Sequence, residues 1–393
     1  MTAVRPESTT IRPARIGVVV FLVGGAVVLL WLILNHVGTA GPSPVSDVKS
    51  DEQLVFFPTH AFYDEKAEVW RVRVHGWLFE PKTRSVKRRV LKRAVRMVID
   101  VPDDAAARKR FDERISRFLV DNERNKRVVI QFGERTCELG RTNKAGHVRA
   151  TIRLSQGEMR ALQKRSGDGN PLAFRALLAA GDKRRFDGRV RATSPNGVSV
   201  ISDVDDTIKI TQVTKRREML ANTFYRPFKP VPGMSQLYRR LQKRGATFHY
   251  VSASPWQLHR PLQSLLVSYR FPEGTLHLRD FRLADTRSLN ELMNSDSKKR
   301  VIAGLLKDFP RRRFLLFGDS GERDPELYGE FARRHTKQIV GIFIRNATGE
   351  SPAGKRFQTA FRGVDVSRWR VFSEPSQVKP TVVKLLSATS RVR

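Results

Sequence analysis

Hydrophobic positions along the chain follow three different patterns. Residues 16–34 are nineteen consecutive residues without a charge, which is the length that a bilayer core requires of a helix. From Trp70 onward apolar and polar positions alternate with period two, and residues 148–154 repeat this alternation, as half-buried strands do. After Gly197, short continuous apolar runs alternate with amphipathic stretches, which is typical of βαβ units on a parallel sheet.

These patterns predict the domain organisation. We expect a linker over residues 36–51, a β-rich accessory domain over residues 52–195, and a three-layer, doubly wound α/β domain over residues 196–393. Two amphipathic helices, within residues 84–100 and 104–119, interrupt the accessory domain. The predicted strands of the α/β domain are 198–202, 247–251, 313–317 and 338–344, and its predicted helices are 235–244, 257–267 and 297–308.

The apolar residues near the amino terminus predict a transmembrane helix over residues 16–35. Three arginines precede it, whereas Lys49 is the only basic residue in the first stretch after it, so the positive-inside rule places residues 1–15 in the cytoplasm. We therefore expect a single-pass membrane protein whose folded domains, including any catalytic domain, lie on the extracytoplasmic side. A cleaved signal peptide, with small residues at Gly38 and Ala40, is the main alternative.

Composition adds a strong positive charge. The chain has 73 Lys and Arg against 39 Asp and Glu, a net charge of +34, which favours anionic partners such as acidic lipids, phosphorylated substrates or nucleic acid. Basic runs lack the interleaved aromatic residues that stack on single strands, so we expect no nucleic acid. Cys137 is the only cysteine, which excludes an internal disulfide and a cysteine-based zinc site. His249, His259, His277 and His335 show no metal-ligand spacing and are interpreted as structural.

Acidic side chains follow two of the predicted strands. Asp203 and Asp205 come directly after strand 198–202, and Asp319 and Asp324 follow strand 313–317. In open α/β sheets ligands bind outside the carboxyl ends of the strands. Two carboxylates two residues apart at such a position can divide nucleophilic and acid/base work. The sequence therefore predicts a phosphoryl-transfer site at this edge of the sheet.

Two further polar residues lie between these acidic pairs. Ser252 ends strand 247–251, and Lys298 lies at the start of helix 297–308. Carboxylate, hydroxyl, amine and carboxylate, in this order, are the four loop motifs of the haloacid dehalogenase superfamily, which this half of the chain resembles. The phrases SVISDVDDTIKIT, ANTFYRPFKPVPGM, FHYVSASPWQL and FPRRRFLLFGDSGERDPELY are similar to the catalytic domain of the actin-patch-protein type of phosphatidate phosphatase, over about residues 198–345.

The resemblance implies a Mg²⁺-dependent phosphatidate phosphatase that releases diacylglycerol and phosphate. By this resemblance Asp203 would attack phosphorus and form an aspartyl-phosphate, and Asp205 would protonate the leaving alkoxide and then activate water. Ser252 and Lys298 would bind the phosphate, and Thr207 would brace the loop. The expected partners are phosphatidate or another anionic phospholipid, with the membrane reached through the amino-terminal helix.

A magnesium site is also implied. The family pattern supplies the carboxylates of Asp203 and Asp319 and the main-chain carbonyl of Asp205, with Asp324 as a further ligand or support. Mg²⁺ prefers such oxygen ligands. Carboxylates clustered without a cation would raise one another's pKa, which is a reason to expect a bound ion.

Other interpretations stay open at this point. The motifs do not separate a lipid from a soluble phosphomonoester, because the phosphate chemistry is the same, and a non-catalytic basic membrane-binding protein is a third possibility. Asp206 is interpreted as a turn cap without chemistry. Lys209 is interpreted either as a contact to an anionic headgroup or as solvated surface. The segment between the first motif and Ser235 predicts a small flap over an open site.

Overall fold

The computed structural model describes residues 44–81, 86–167, 169–281 and 296–390. It contains two β-sheets, which are formed from consecutive parts of the chain. The first sheet has nine strands: β1 (Gln53–Phe56), β2 (Thr59–Asp64), β3 (Val69–Glu80), β4 (Asp121–Asn122), β5 (Arg127–Phe132), β6 (Arg135–Arg141), β7 (His147–Leu154), β8 (Leu172–Ala176) and β9 (Asp187–Ala192). Their order is β1-β3-β2-β9-β8-β5-β6, and β4 and β7 also pair with β3. Only the β2 and β9 pair is parallel among these described pairings.

Three helices accompany this first sheet: α1 (Val86–Ile99), α2 (Ala105–Ser116) and α3 (Gln156–Ser166). Helix α2 begins after Asp104, whose side chain accepts a hydrogen bond from the Ala107 amide at 2.6 Å. Such a cap satisfies an amide that has no partner inside the helix. Helix α3 begins with a reciprocal capping box between Ser155 and Glu158.

The second sheet is entirely parallel. Its strands are β10 (Val198–Ser202), β11 (Thr247–Pro255), β12 (Gly274–Arg279), β13 (Arg313–Asp319), β14 (Ile339–Arg345) and β15 (Trp369–Phe372), in the order β12-β11-β10-β13-β14-β15. The helices of this part are α4 (Arg216–Phe224), α5 (Met234–Gln242), α6 (His259–Ser268), α7 (Asp296–Asp308), α8 (Asp324–Arg334), α9 (Lys355–Ala360) and α10 (Pro375–Ser390). The predicted α/β fold with a parallel sheet is confirmed.

Burial explains why β10 consists of three apolar residues and two serines, without a charge. All five of its residues are buried, because hydrophobic clusters cover both faces of the sheet. Val200 belongs to the cluster on one face and Ile201 to the cluster on the other. The strand therefore lies at the centre of the sheet and delivers the residue that follows it, Asp203, to the sheet edge.

The two sheets share part of their core. Phe57, Trp77 and Phe79 of the first sheet's part belong to the same cluster as Val200 of the second. The Phe57 ring stacks on Trp256 at 4.0 Å between ring centroids. Residues 45–393 form one compact unit. The predicted boundary at residues 195–196 falls between β9 and β10, and the independence of the two parts stays a prediction.

Most predicted elements agree with the structure within a few residues, but some differ. The predicted helix 257–267 begins with a 3-10 turn, Trp256–Leu258, before α6. Strands β12 and β15 are absent from the predicted set. Both are edge strands of the second sheet, and such strands need not show the continuous apolar run of a central strand.

The predicted localisation is wrong. In the part of the chain that the structure describes, the longest helix has 16 residues, and none is long and apolar enough to cross a membrane. A spanning helix needs about 20 predominantly apolar residues. The predicted transmembrane segment, residues 16–35, and the stretch before it lie outside the described residues. Neither the single-pass topology nor an extracytoplasmic catalytic domain is retained.

Candidate functional site

Three neighbouring strands bring their polar residues to one edge of the second sheet. Strand β10 lies between β11 and β13, so Asp203 after β10, Ser252 in β11 and Asp319 at the end of β13 meet there. The Asp203 amide donates to the Phe317 carbonyl at 2.8 Å, which extends the pairing with β13 to the first acidic residue. Parallel pairing thus converts positions far apart in the sequence into one site.

A carboxylate cluster, Asp203, Asp319 and Asp324, forms the centre of this site. One oxygen atom of each side chain lies within 4.8 Å of the other two, and all three residues are fully or almost fully buried. Asp324 begins α8, and its Oδ2 accepts a hydrogen bond from the Asp319 amide at 3.3 Å. A Cβ atom at Gly318 would lie 2.5 Å from Asp324 Oδ2, so the close approach of Asp324 to β13 requires glycine there.

Lys298 supplies the positive charge of the cluster. From the first turn of α7 its Nζ donates to Asp203 Oδ1 at 2.9 Å and to Asp324 Oδ1 at 2.6 Å. It also donates to Glu322 Oε2 at 2.8 Å. Burial lowers the pKa of Lys298, but the surrounding carboxylates outweigh burial and raise the pKa well above its usual value. The ammonium group therefore stays charged within the site.

The carboxylate cluster holds more negative charge than Lys298 balances. Burial, together with the neighbouring carboxylates, raises the pKa of Asp203 and of Asp319 well above the usual value, although Lys298 opposes this effect. Asp203 Oδ2 and Asp319 Oδ2 are buried and have no hydrogen-bond partner within the described ranges. Buried oxygens without a donor, in a group of three carboxylates, fit a divalent cation with oxygen ligands. Asp203, Asp319 and Asp324 are the side chains that could hold it.

Asp205 has a different environment. Its Oδ1 accepts hydrogen bonds from Lys209 Nζ at 2.8 Å and from Thr211 Oγ1 at 2.7 Å. Its Oδ2 accepts hydrogen bonds from Ser252 Oγ at 2.8 Å and from Ser254 Oγ at 2.9 Å. Burial alone would raise the pKa of Asp205, but Lys209 and these hydroxyl donors hold it well below its usual value. Asp205 is therefore ionised, whereas burial favours the neutral form of Asp203.

Asp206 stabilises the loop that follows Asp205. Its Oδ1 accepts hydrogen bonds from the amides of Thr211 and Gln212, and its Oδ2 accepts one from the amide of Val213. Its φ angle of 54° belongs to the left-handed region, which Asp tolerates better than most residues. The interpretation of Asp206 as a turn cap is confirmed. Thr207 is fully buried in the same loop, but its hydroxyl has no partner among the residues described here.

The sequence analysis missed four side chains of this site. Lys209 is 2% exposed and pairs with Asp205, so it is neither a headgroup contact nor solvated surface. Thr211, Ser254 and Glu322 complete the hydrogen bonds of Asp205 and Lys298. The sequence shows only that these residues lie close to recognised motifs. It does not show which way their side chains point. Ser252, expected to bind phosphate, donates instead to Asp205 in this structure.

Comparisons with known proteins concern this same part of the chain. Residues 198–346 match the family model of the phosphatidate phosphatase APP1 catalytic domain. Phosphatidate phosphatase APP1 of Saccharomyces cerevisiae is 37% identical over 158 residues, and an uncharacterised protein of Schizosaccharomyces pombe is 31% identical over 159 residues. Each alignment covers 39% of this chain and 26% of the relative. The resemblance to this APP1 type is thereby confirmed for residues 198–346, which include β10 to β14 and the acidic loops.

The match covers only part of this chain and of its relatives. The chain spans about a quarter of the length of the curated relatives it matches. A solved structure named for beta-phosphoglucomutase, from Thermotoga maritima, aligns with 48% of this chain and 99% of its own at 11% identity and a TM-score of 0.31. That score is too low to establish a shared fold. The APP1-type segment contains every site residue named above and excludes the first sheet.

Proposed function

We propose that this protein is a Mg²⁺-dependent phosphatidate phosphatase that hydrolyses phosphatidate to diacylglycerol and phosphate. The observation that carries the proposal is the buried carboxylate cluster with Lys298. The cluster lies inside the APP1-type segment, and two of its carboxylate oxygens have no donor among the residues that the structure describes. We also propose a haloacid dehalogenase-like arrangement for the second sheet. The order of the four motifs and the central position of β10 support this assignment.

In the first step, a carboxylate oxygen of Asp203 attacks phosphorus and forms an aspartyl-phosphate, while the bond between phosphorus and the glycerol oxygen breaks. Lys298, 2.9 Å from Asp203, offsets negative charge on the nucleophile and on the incoming phosphate. In the second step a water attacks phosphorus, which regenerates Asp203 and releases phosphate. The leaving alkoxide needs a proton in the first step, and the attacking water must lose one in the second.

Asp205 is the candidate for both proton transfers. Its hydrogen bonds to Lys209, Thr211, Ser252 and Ser254 hold it ionised without substrate, the form that accepts a proton from water. To act first as an acid it must gain a proton. A phosphate that binds nearby adds negative charge and draws the Ser252 hydroxyl away from Asp205, and both changes raise the pKa of Asp205.

The carboxylate cluster fits Mg²⁺ because its ligand atoms are oxygens and two of them have no other partner in the described part of the chain. A bound Mg²⁺ would balance charge on the transferring phosphoryl group. Asp203, Asp319 and Asp324 would hold it by their carboxylates, and the main chain of Asp205 would add a carbonyl oxygen. The Asp205 side chain is committed to Lys209 and the hydroxyl donors and is not one of the clustered groups.

Phosphate release from phosphatidate in detergent mixed micelles, with and without Mg²⁺, tests this function. Asp203→Asn should lower turnover roughly a thousandfold or more, because the nucleophile is lost. Asp187→Asn is a matched control, since Asp187 is an exposed carboxylate of the first sheet. Release from glycerol 3-phosphate but not from phosphatidate would replace the lipid by a soluble substrate. Full activity of Asp203→Asn would contradict the mechanism.

A further inference from the structure

An apolar cavity opens beside the catalytic carboxylates. Its volume is about 310 Å³, which lies within the range of small-molecule binding sites. Asp205, Thr211, Ser254 and Glu322 line one end. The remaining lining is almost entirely hydrophobic, so a ligand must combine a polar group at one end with hydrocarbon over the rest.

Most of the apolar wall comes from helices that pack together around one small core. Helix α1 contributes Val95 and Ile99, α2 contributes Ile115, and α4 contributes Met219 and Leu220. Helices α1 and α2 precede residue 198 and lie outside the APP1-type segment. The part of the chain before the matched domain therefore builds much of the surface that a substrate would meet next to Asp205.

The cavity reaches the surface at α1. Val98 lines it and is 72% exposed, and two other large apolar side chains of the same helix, Met97 and Val90, are 69% and 64% exposed. Exposed apolar residues concentrated on one helix, next to an apolar cavity, differ from the scattered exposure that is normal on protein surfaces.

We propose that this cavity binds the hydrocarbon chains of the phosphate ester while the phosphate lies at the carboxylate cluster. The occupant follows from the lining, whose few polar residues include Asp205, Ser254 and Glu322 of the site, whereas the other lining residues are almost entirely apolar. Helices α1 and α2 would thus determine which chain lengths are accepted. The inference rests on the proposed phosphatase function and adds the position of the lipid chains.

Phosphatidates with dibutyryl, dihexanoyl and dioctanoyl chains, kept below their critical micelle concentrations, test the cavity without a membrane surface. Each buried methylene should raise kcat/KM by about fourfold until the cavity is filled. Val95→Trp narrows the cavity and should remove this dependence on chain length. Val90→Trp, on the same helix but outside the lining, should keep it. Leu119→Trp, from the segment after α2, repeats the test if Val95→Trp does not fold.

The outcomes separate this inference from the proposed function. Phosphate release that is independent of chain length, or a chain-length dependence that survives both cavity variants, overturns the acyl site and leaves the phosphatase intact. No phosphate release from any of the three esters by the unmodified protein overturns the phosphatase itself. If Val90→Trp also loses the dependence of kcat/KM on chain length, the lipid contacts the exposed face of α1 and not the cavity.

A second, independent observation concerns a histidine cluster, His60, His249 and His277, at the junction of the two sheets. These residues lie on β2, β11 and β12. One ring nitrogen of each lies within 4.8 Å of the other two. His60 and His249 are 4% and 1% exposed, so the nitrogens meet in a largely dry environment.

Each imidazole is anchored by one nitrogen. His60 Nε2 bonds Asp308 Oδ2 at 2.9 Å, and His249 Nδ1 and His277 Nε2 bond the Thr275 hydroxyl at 2.7 and 2.8 Å. The opposite nitrogens of His60 and His249 are buried and lack a partner in the described part of the chain. A carboxylate or hydroxyl on one nitrogen, with the other nitrogen free, is the arrangement that orients histidine ligands around a metal.

The geometry points to a second metal site, which takes a zinc-like transition ion at His60, His249 and His277. Imidazole ligands suit zinc and related metals and not Mg²⁺. The ion would tie β2 of the first sheet to β11 and β12 of the second.

Metal content of the full chain after equilibration with zinc and removal of excess tests this site. We expect about one zinc per chain and a higher Tm with zinc than after chelation. His249→Gln and His277→Gln should each lose both effects. His259→Gln is the matched control, since His259 is also buried with unpartnered ring nitrogens among the described residues but lies outside the cluster. No bound zinc in the unmodified chain, or zinc retained in both cluster variants, would exclude the site.

Discussion

Single residues decide the ionisation of this site. Asp203 and Asp205 are two positions apart and both buried, yet their pKa values shift in opposite directions. Asp203 shares the Lys298 ammonium group with two other carboxylates, whereas Asp205 accepts hydrogen bonds from the Lys209 ammonium group and three hydroxyls. Pairs of titratable groups whose environments separate their pKa values are typical of acid/base catalysis.

Lys209→Met tests how much the charge of Lys209 contributes to the low pKa of Asp205. Because Lys209 lowers the pKa of Asp205, its removal should raise that pKa. Asp205 must be protonated in the first step, which is the step that kcat/KM reports, so kcat/KM falls as the pH rises through its pKa. The basic limb of the profile of kcat/KM against pH should therefore move to higher pH by about one pH unit or more. Lys215→Met, at an exposed position of the following segment, is the control and should leave this limb of the pH profile unchanged. If the limb is also unchanged in Lys209→Met, Asp205 is not the group that titrates there.

Gly318→Ala tests the position of Asp324. The added Cβ would lie 2.5 Å from Asp324 Oδ2 and 2.7 Å from Tyr328, so Asp324 must withdraw from β13. We expect weaker activation by Mg²⁺, seen as a several-fold higher Mg²⁺ concentration at half-maximal activity. Gly304→Ala, a helical position with open space at the Cβ, is the control. An unchanged Mg²⁺ dependence would mean that Asp324 contributes little to cation binding.

Among the elements, the connection from β9 to β10 depends on one buried arginine. Arg312, just before β13, donates to the carbonyls of Ser194 and Val198 at 2.8 and 2.6 Å and to the Ser199 hydroxyl at 2.8 Å. Burial lowers its pKa to about 10, so it stays charged at neutral pH. The guanidinium group thereby joins the start of β10 to the start of β13.

Arg312→Met should therefore destabilise the fold more than a surface change. It leaves several buried carbonyl and hydroxyl groups without donors, which costs roughly 2–5 kcal/mol in the free energy of unfolding. Urea unfolding measures this value. The neighbouring Arg311 forms an exposed ion pair with Glu65, and Arg311→Met should cost at most about 1 kcal/mol. Equal midpoints for the two variants would show that Arg312 is not required to join these elements.

For the whole molecule, we expect the shared core to make the second sheet dependent on the first. Trp256 stacks on Phe57, and Arg73 bonds Asp308 at 2.6 Å across the same junction. A fragment of residues 196–393 would expose these surfaces to water. We expect this fragment to unfold at a clearly lower temperature than residues 45–393, or to aggregate, by circular dichroism and light scattering. A fragment with the same Tm as the longer chain would establish two independent domains.

The parallel sheet, the ends of its central strands and the order of the acidic motifs follow from the amino-acid sequence alone. These features are local: a strand buried on both faces is a continuous apolar run, and the residue that follows it must lie at the sheet edge. The patterns therefore suffice to place Asp203 and Asp319 at that edge, whereas Lys298, at the start of a helix, is assigned to the site by the family resemblance. They also identify Asp206 correctly, because a carboxylate in such a loop commonly accepts amide bonds.

Which side chains meet depends on tertiary packing. Lys209 has the sequence context of a surface residue but is buried against Asp205, because the loop that carries it folds back over the site. His60 is far in sequence from His249 and His277, so no ligand spacing could reveal their cluster. The apolar cavity joins helices from both parts of the chain. Such contacts depend on how distant elements pack, which short-range patterns of hydrophobic and polar residues do not encode.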